Sequence, residues 1–292
     1  QLEGNLLSFD GEFFHVDTKY GLLTVDAQGV VCDGVGCPNL EAYIAEINLS
    51  GTRLMGDLLV PALLQAFADR NGYSVLREVI DDTHSTFVMR DNDRELARFG
   101  LRSTTTSEGF ADLIAEAADI AMVLREPDRR ELEMARSAGV GNLLEDRRGR
   151  VVALDGIAAL KSSTQPTRAV SLQELAEIFS GEIENWSEVN GPDLPIKLVL
   201  PGELNGYVTV LEDSIMALYG KSLSDPQSSF ASLEELSDSV SLDISSVALS
   251  TLSQVGNADI LSINGSCGFE QRPSLASLRN EDYPLILPLM FF

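Results

Sequence analysis

From about residue 46 onward the chain alternates short apolar runs of strand type with amphipathic runs of helix type, and that alternation restricts it to an α/β fold. Ile47 to Leu49 reads as a strand. After Ser50-Gly51-Thr52-Arg53-Leu54-Met55-Gly56 a helix is expected from about Asp57 to Asn71, with Leu59, Leu63, Ala66 and Phe67 inward and Asn71-Gly72 as its stop. Ser74 to Val79 is the next strand, and Phe87 to Met89 with Ala97 to Phe99 forms a further pair. A polar loop, Ser103 to Gly109, precedes a helix from Phe110 to Ala118 with Phe110, Leu113, Ile114 and Ala117 inward. Asp119 to Leu124 is a buried strand, and Asp128 to Ala138 is an amphipathic helix ended by Gly139. Val151 to Leu160 is a long apolar strand suited to crossing between two lobes.

A second α/β stretch covers about 162 to 240. Ser171 followed by Glu174 is a capping box that starts a helix over Leu172 to Phe179, and Gly181 supplies the left-handed position that closes it. The only Trp186 follows on a short segment. Ile196 to Leu200 is a strand, Pro201 to Gly206 a loop, and Val208 to Tyr219 a helix. Ser232 opens another capped helix, Val247 to Leu249 crosses back, and Tyr283 to Phe292 ends the chain as an apolar strand.

Residues 1 to about 45 differ in pattern. Leu6 to Phe9, Phe13 to Asp17 and Leu22 to Val25 are short strands, with Asp10-Gly11 as a hairpin signal, so a small β-meander is expected. Cys32 and Cys37 bracket a two-glycine turn and read as a disulfide, or as two free thiols in a tight turn. The bond implies an oxidising compartment and contributes about 2 kcal/mol on the chain-entropy model. Cys267 has no evident partner and is expected to be buried.

Composition narrows the function. Forty-five acids against 21 bases give a net charge of −24, so nucleic acid and anionic membranes are poor partners. No run of 18 apolar residues exists, and no signal-peptide pattern follows Gln1; the expectation is that any such segment has been removed or lies outside this sequence. The ending on Phe291-Phe292 reads as a cut within a longer protein. His15 and His84 sit in no triad or nucleophile elbow, and neither has ligand spacing to a cysteine pair. Asp81-Asp82-Thr83-His84 reads as solvated turn residues rather than a metal loop. The expectations are no enzyme, no metal and no cofactor.

Three loops share one design, a strand, a polar loop with Gly and hydroxyls, then a helix: Gly51 to Gly56, Thr105 to Gly109 and Asn205 to Tyr207. A helix N-terminus carries unpaired N–H groups and about half a positive charge, so it binds small anions without a cation. Each loop alone is also an ordinary N-cap. Convergence of the three on one cleft is what would make a site.

On these residues the chain resembles phosphate-type substrate-binding proteins of ABC transporters, in the type II periplasmic binding protein class. The resemblance runs from about Asn48 to Phe292. It is carried by Gly51-Thr52-Arg53-Leu54-Met55-Gly56, Thr106-Ser107-Glu108-Gly109-Phe110, Val152 to Ala158, Ile178 to Val189 and Glu281 to Leu285. It implies two lobes with two crossings, near Val151 to Leu160 and Ser246 to Ser250. The division expected is a meander over 1–45, lobe 1 over 46–155 and 246–292, and lobe 2 over 156–245. It implies a phosphate-like anion held by Thr52, Arg53, Leu54, Thr106, Ser107, Arg125, Asn205 and Gly206, an ABC-transporter permease as partner, and the periplasm of a Gram-negative cell. The meander with Ser8 to Phe13 is similar to a subgroup often followed by an OmpA-like domain, which implies attachment to peptidoglycan.

The chain departs from that family at the site. Leu54 stands where a Ser or Thr is usual, and Leu124 where a Ser or Asp is usual. Pro201 replaces an Arg, and Asn205-Gly206-Tyr207 replaces Ser-Gly-Thr. An incompletely paired buried phosphate costs several kcal/mol, so Arg53 or Arg125 must supply the missing charge. For Arg125 the competing reading is an ion pair with Glu126 or Asp128. Binding of a less charged organic ligand, and a scaffold role in the envelope without a ligand, stay open beside the anion reading.

Overall fold

The structure is a computed structural model that describes residues 2–34, 36–37, 44–145, 148–202, 208, 212–230, 232–265 and 269–292. The chain divides into two compact units, Gln1–Ile47 with Leu64–Gly100, and Asn48–Leu63 with Leu101–Phe292.

The first unit opens with the expected meander. Strands β1 (Gly4–Phe9), β2 (Phe13–Thr18) and β3 (Gly21–Asp26) pair antiparallel in sequence order. Asp10 Oδ1 accepts the N–H groups of Glu12 and Phe13 at 2.9 and 2.6 Å and closes the first turn, where Gly11 takes φ 100°. Cys32 and Cys37 are joined, with their Cα atoms 5.7 Å apart. Strand β4 (Ala45–Thr52) leaves this unit for the other. Helix α1 (Val60–Asn71) enters it, and β5 (Ser74–Val79), β6 (His84–Asp91) and β7 (Arg94–Thr104) follow. The 81–84 turn satisfies itself: Asp81 Oδ1 accepts from the N–H groups of Thr83 and His84, both at 2.8 Å.

The inward face of α1 differs from the one expected. Val60, Leu64 and Ala68 face in, with Leu64 and Ala68 packing beside Met89, Val75 and Phe99. Leu63 and Phe67 are about half exposed, and Ala66 is exposed. Helical backbone already begins at Arg53 and passes through a π-turn over Met55–Leu59. A π-turn holds more residues than an α-turn. It therefore rotates every later residue relative to a uniform 3.6-residue count.

In the second unit, α2 (Thr106–Ile114), β8 (Ile120–Val123) and α3 (Arg129–Ser137) follow the end of β7. The capping box of Asp128 and Glu131 starts α3, and Gly139 at φ 84° follows its end. Strand β9 (Arg150–Lys161) comes next, then β10 (Ala169–Ser171), α4 (Leu172–Phe179), β11 (Lys197–Pro201) and β12 (Ser228–Phe230). The remaining elements are α5 (Leu233–Leu242), β13 (Ser246–Thr251), β14 (Asp259–Asn264), β15 (Glu270–Gln271), α6 (Leu275–Arg279) and β16 (Ile286–Phe291).

Helix α4 forms where its signals lie. Ser171 Oγ accepts from Glu174 N at 3.1 Å, Glu174 Oε2 accepts from Ser171 N at 2.7 Å, and Gly181 takes φ 76°. Leu175, Ala176, Ile178 and Phe179 are all fully buried. Trp186 is fully buried as well, with its Nε1 donating to Ser245 O at 3.0 Å. Burying a ring of that size is worth roughly 4–6 kcal/mol of transfer free energy before entropy is subtracted.

Strand β9 belongs to two sets of pairings. Residues Arg150 to Gly156 pair antiparallel with β16, which in turn pairs β8, and β8 runs parallel to β4. Residues Ile157 to Lys161 pair with β13, and Ala159 to Lys161 also with β14. Strands β12, β11 and β13 run parallel to one another. One core cluster lies between α2, α3 and β8 (Phe110, Ala121, Val123, Ala135, Leu143), and another between β9, β11, β13 and α5 (Leu160, Val199, Leu236, Val240, Ala248). Strands β10, β12, β14 and β15 and helix α6 have no counterpart in the sequence reading. The helix expected over Val208 to Tyr219 is a π-turn at Glu212–Met216 and a 3-10 turn at Ala217–Tyr219; 203–207 and 209–211 lie outside the described residues, as does Cys267.

Candidate functional site

Close backbone approach builds the site from β4. Gly51 sits at φ 141°, and a Cβ there would lie 2.0 Å from the Met122 carbonyl oxygen. Only glycine fits both the conformation and the space. Gly109, in the first turn of α2, would place a Cβ 2.8 Å from Ser50 O and 2.9 Å from Gly51 Cα. The N-terminal turn of α2 therefore lies directly on the end of β4. Gly56 packs as closely on Ser103. These glycines bring the first two anticipated loops together.

Both loops are shorter than the sequence suggested, because the helices begin earlier. Thr52, fully buried, is the last residue of β4, and its Oγ1 accepts from Leu54 N at 3.2 Å. Arg53 and Leu54 lie in the first helical turn rather than in a loop, and both are half-buried. Arg53 Nε is 3.4 Å from Asp57 Oδ2, and Ser103 Oγ donates to Asp57 Oδ1 at 3.3 Å. Helix α2 starts at Thr106 rather than Phe110, capped by Thr105, whose Oγ1 accepts from Glu108 N at 3.2 Å. Ala117, expected inward, lies beyond the helix and is exposed.

The hydroxyls at this helix start meet the end of β8. Thr106 Oγ1 accepts the N–H of Leu124 at 3.1 Å, which leaves the hydroxyl proton able to donate. Ser107 Oγ accepts from Arg125 Nη2 at 3.0 Å. Leu124 is buried, 2% exposed, with its side chain in the core. The structure thus gathers Thr106, Ser107 and Arg125 at one helix N-terminus, while Thr52 caps the turn that leaves β4. Asn205 and Gly206 lie outside the described residues. Pro201, at the end of β11, is buried.

Arg125 has a partner that local reading missed. Its guanidinium makes a two-pronged pair with Glu131, Nη1 to Oε2 at 2.8 Å and Nη2 to Oε1 at 2.9 Å. Of the expected partners, Glu126 offers its backbone oxygen, at 3.0 Å, and Asp128 caps α3. The Glu131 side chain is 5% exposed and also accepts from Asp128 N at 2.7 Å. The positive charge of Arg125 is therefore already balanced by a buried carboxylate. The spacing from 125 to 131 gave no cue, because it is set by the turn into α3.

Three further residues under the site were not anticipated as partners. Ser50 Oγ donates to Asp112 Oδ2 at 2.5 Å, and Arg102 Nη1 donates to the same oxygen at 2.5 Å. They tie β4, β7 and α2 together behind the helix N-terminus. Among the described residues no group of three His, Cys, Asp or Glu side chains is placed to hold a metal ion.

With this geometry the comparison with known proteins is decisive for the family. The profile of the PBP superfamily domain matches residues 53–291. The chain belongs to the PBP superfamily. Among curated relatives, Protein SphX of Synechococcus elongatus is 26% identical over 38% of this chain and 33% of its own length. Phosphate-binding protein PstS 2 of Streptococcus agalactiae is 23% identical over 58% of this chain and 48% of its own. The chain thus matches no more than about half the length of either relative. An ABC-type phosphate transport receptor from Vibrio cholerae superposes with a TM-score of 0.62 at 16% identity, over 84% of this chain and 85% of that one. This superposition establishes a shared mixed α/β fold. No helix among the described residues is long and apolar enough to cross a membrane.

Proposed function

We propose that this PBP-superfamily chain is a solute-binding protein for phosphate or a similar small oxyanion, and a binder rather than a catalyst. The observation that carries the reading is the α2 N-terminus, where Thr106 retains a hydroxyl proton and Ser107 stands beside Arg125, with Thr105 capping the N–H of Glu108. Such an end takes an anion without further cations. The names of the relatives, a phosphate-binding protein and a phosphate transport receptor, support the same class. The net charge of −24 requires that these local donors do the holding. In this reading Thr52, Arg53, the backbone at Leu54, and Asn205 with Gly206 complete the shell between two lobes, 46–155 with 246–292 and 156–245. The protein then works outside the cytoplasm, in the periplasm of a Gram-negative cell, and hands its ligand to an ABC-transporter permease. A further domain holding it to peptidoglycan is a separate part of the proposal.

A second reading rests on the Arg125–Glu131 pair and the buried Leu124. With the cation neutralised and one donor position apolar, the site favours a less charged ligand, or none. Calorimetry separates the two. Protein stripped of ligand by partial unfolding and refolded is titrated with phosphate, sulfate and a neutral sugar. Saturable heat with phosphate supports the anion reading. No heat with any oxyanion at millimolar concentration overturns it and supports the second.

A further inference from the structure

Residues 155 to 157 of β9 are the point where that strand changes partners, from β16 on one side to β13 on the other. Three chain segments are fastened there. Asp155, 9% exposed, accepts from Ser253 Oγ at 2.6 Å, from Ser253 N at 3.3 Å and from Gly156 N at 2.8 Å. Ser253 lies in the 3-10 turn Leu252–Gln254, directly after β13. Gly156 lies against Pro273 and Leu278, which a Cβ would approach to 3.1 and 3.0 Å. Ile157 donates its N–H to Leu285 O at 2.9 Å and accepts from Tyr283 OH at 2.6 Å, just before β16.

Most of this junction is backbone or buried apolar packing. The Asp155–Ser253 link is its side-chain-to-side-chain polar connection between the change-over point of β9 and the end of β13. A buried carboxylate held by hydroxyl and amide donors is a strong and directional tie, stronger than a neutral pair. It joins the two strands along which the halves of a hinged binding protein would rotate. A tie at the pivot acts on ligand retention without touching the ligand, by setting the balance between open and closed forms.

We infer that Asp155 and Ser253 are positioning residues for ligand retention: their hydrogen bond sets the hinge between β9 and β13 in the closed form. The inference rests on the solute-binding reading above. Its test uses Ser253→Ala, Ser253→Thr and Asp155→Ala in the full chain, with phosphate as the probe. Dissociation rate is read by stopped-flow exchange, and the ligand-induced change in radius of gyration by small-angle scattering. Ser253→Ala should release phosphate roughly tenfold faster and show a smaller compaction, within the range expected for a lost hydrogen bond to a charged group. Ser253→Thr, which keeps the hydroxyl, should restore both. If Asp155→Ala does not fold, Ser253→Ala alone decides. Equal release rates and equal compaction in wild type and Ser253→Ala overturn the inference. Absence of phosphate binding in the wild type itself overturns the function reading instead, so the two failures are distinguishable.

Discussion

Replacing Arg125 by alanine should cost fold stability as well as affinity, and the reason is Glu131. That carboxylate is 5% exposed and is held by two guanidinium hydrogen bonds, at 2.8 and 2.9 Å, and one backbone N–H, at 2.7 Å. In Arg125→Ala the backbone N–H alone remains. Breaking a fully buried pair by removing one partner costs about 3–5 kcal/mol. Arg125 is 26% exposed, so water replaces part of its role, and about 2–3 kcal/mol is the expected loss. For a unit of this size that lowers the melting temperature by roughly 5–10 °C. Calorimetric melting measures it. Adding Glu131→Gln to Arg125→Ala removes the stranded charge while keeping an acceptor for Asp128 N, so the double variant should recover about 2 kcal/mol. Phosphate affinity should fall about tenfold in Arg125→Ala and rise in Glu131→Gln, where the guanidinium is no longer balanced. A stability loss below about 0.5 kcal/mol in Arg125→Ala, or no recovery in the double variant, refutes the claim that the pair neutralises the site.

Other outcomes follow from the same geometry. Thr106→Ala should weaken phosphate binding by about 1 kcal/mol, a neutral hydroxyl being the weaker donor, as calorimetry will read. Gly51→Ala should destabilise by about 3–5 kcal/mol or abolish soluble expression, because a Cβ 2.0 Å from Met122 O must displace the backbone; a melting temperature equal to wild type would contradict this. Burial pushes the Asp259 carboxyl up, but hydrogen bonds from Arg272 at 2.6 Å and Lys161 at 3.0 Å outweigh it and hold it below the usual aspartate value. Its contribution is therefore complete above the unfolded value near ~3.9 and is lost as pH falls through the lower folded value. The difference in melting temperature between wild type and Asp259→Asn should be constant near neutral pH and shrink below about pH 4. Cys32 and Cys37 should resist alkylation in non-reducing mass spectrometry.

Elements with self-contained signals were legible. The Ser171–Glu174 box, Gly181 and the Leu172–Phe179 stripe all lie within a dozen residues, so α4 could be drawn to its observed bounds. The same holds for β5 and for α3 between Asp128 and Gly139. The inward face of α1 was not legible, because a π-turn at Met55–Leu59 changes the phase and no local residue announces it. At the site, the residue types at Thr52, Thr106 and Ser107 were readable as cap or anion donors. What each hydroxyl touches was not, since Leu124 and Arg125 come from the bend after β8, 18 residues away. The need for Gly109 arises from Ser50, far back in the chain, and the Arg125–Glu131 pair from the path into α3.

The place of β16 bears on how the second unit can be made. Residues Ile286–Phe291 pair on one side with β9 and on the other with β8, so a strand that comes after β1 to β15 in sequence fills an interior slot of the sheet. A ribosome delivers those residues after β1 to β15 have emerged. Until then β8 and the first half of β9 each present an open edge, and open edges recruit strands from other chains. Nascent chains should therefore depend on a holding chaperone until about residue 290 is available. A version circularly permuted to place β16 before β4 should fold with less aggregation at the same final stability.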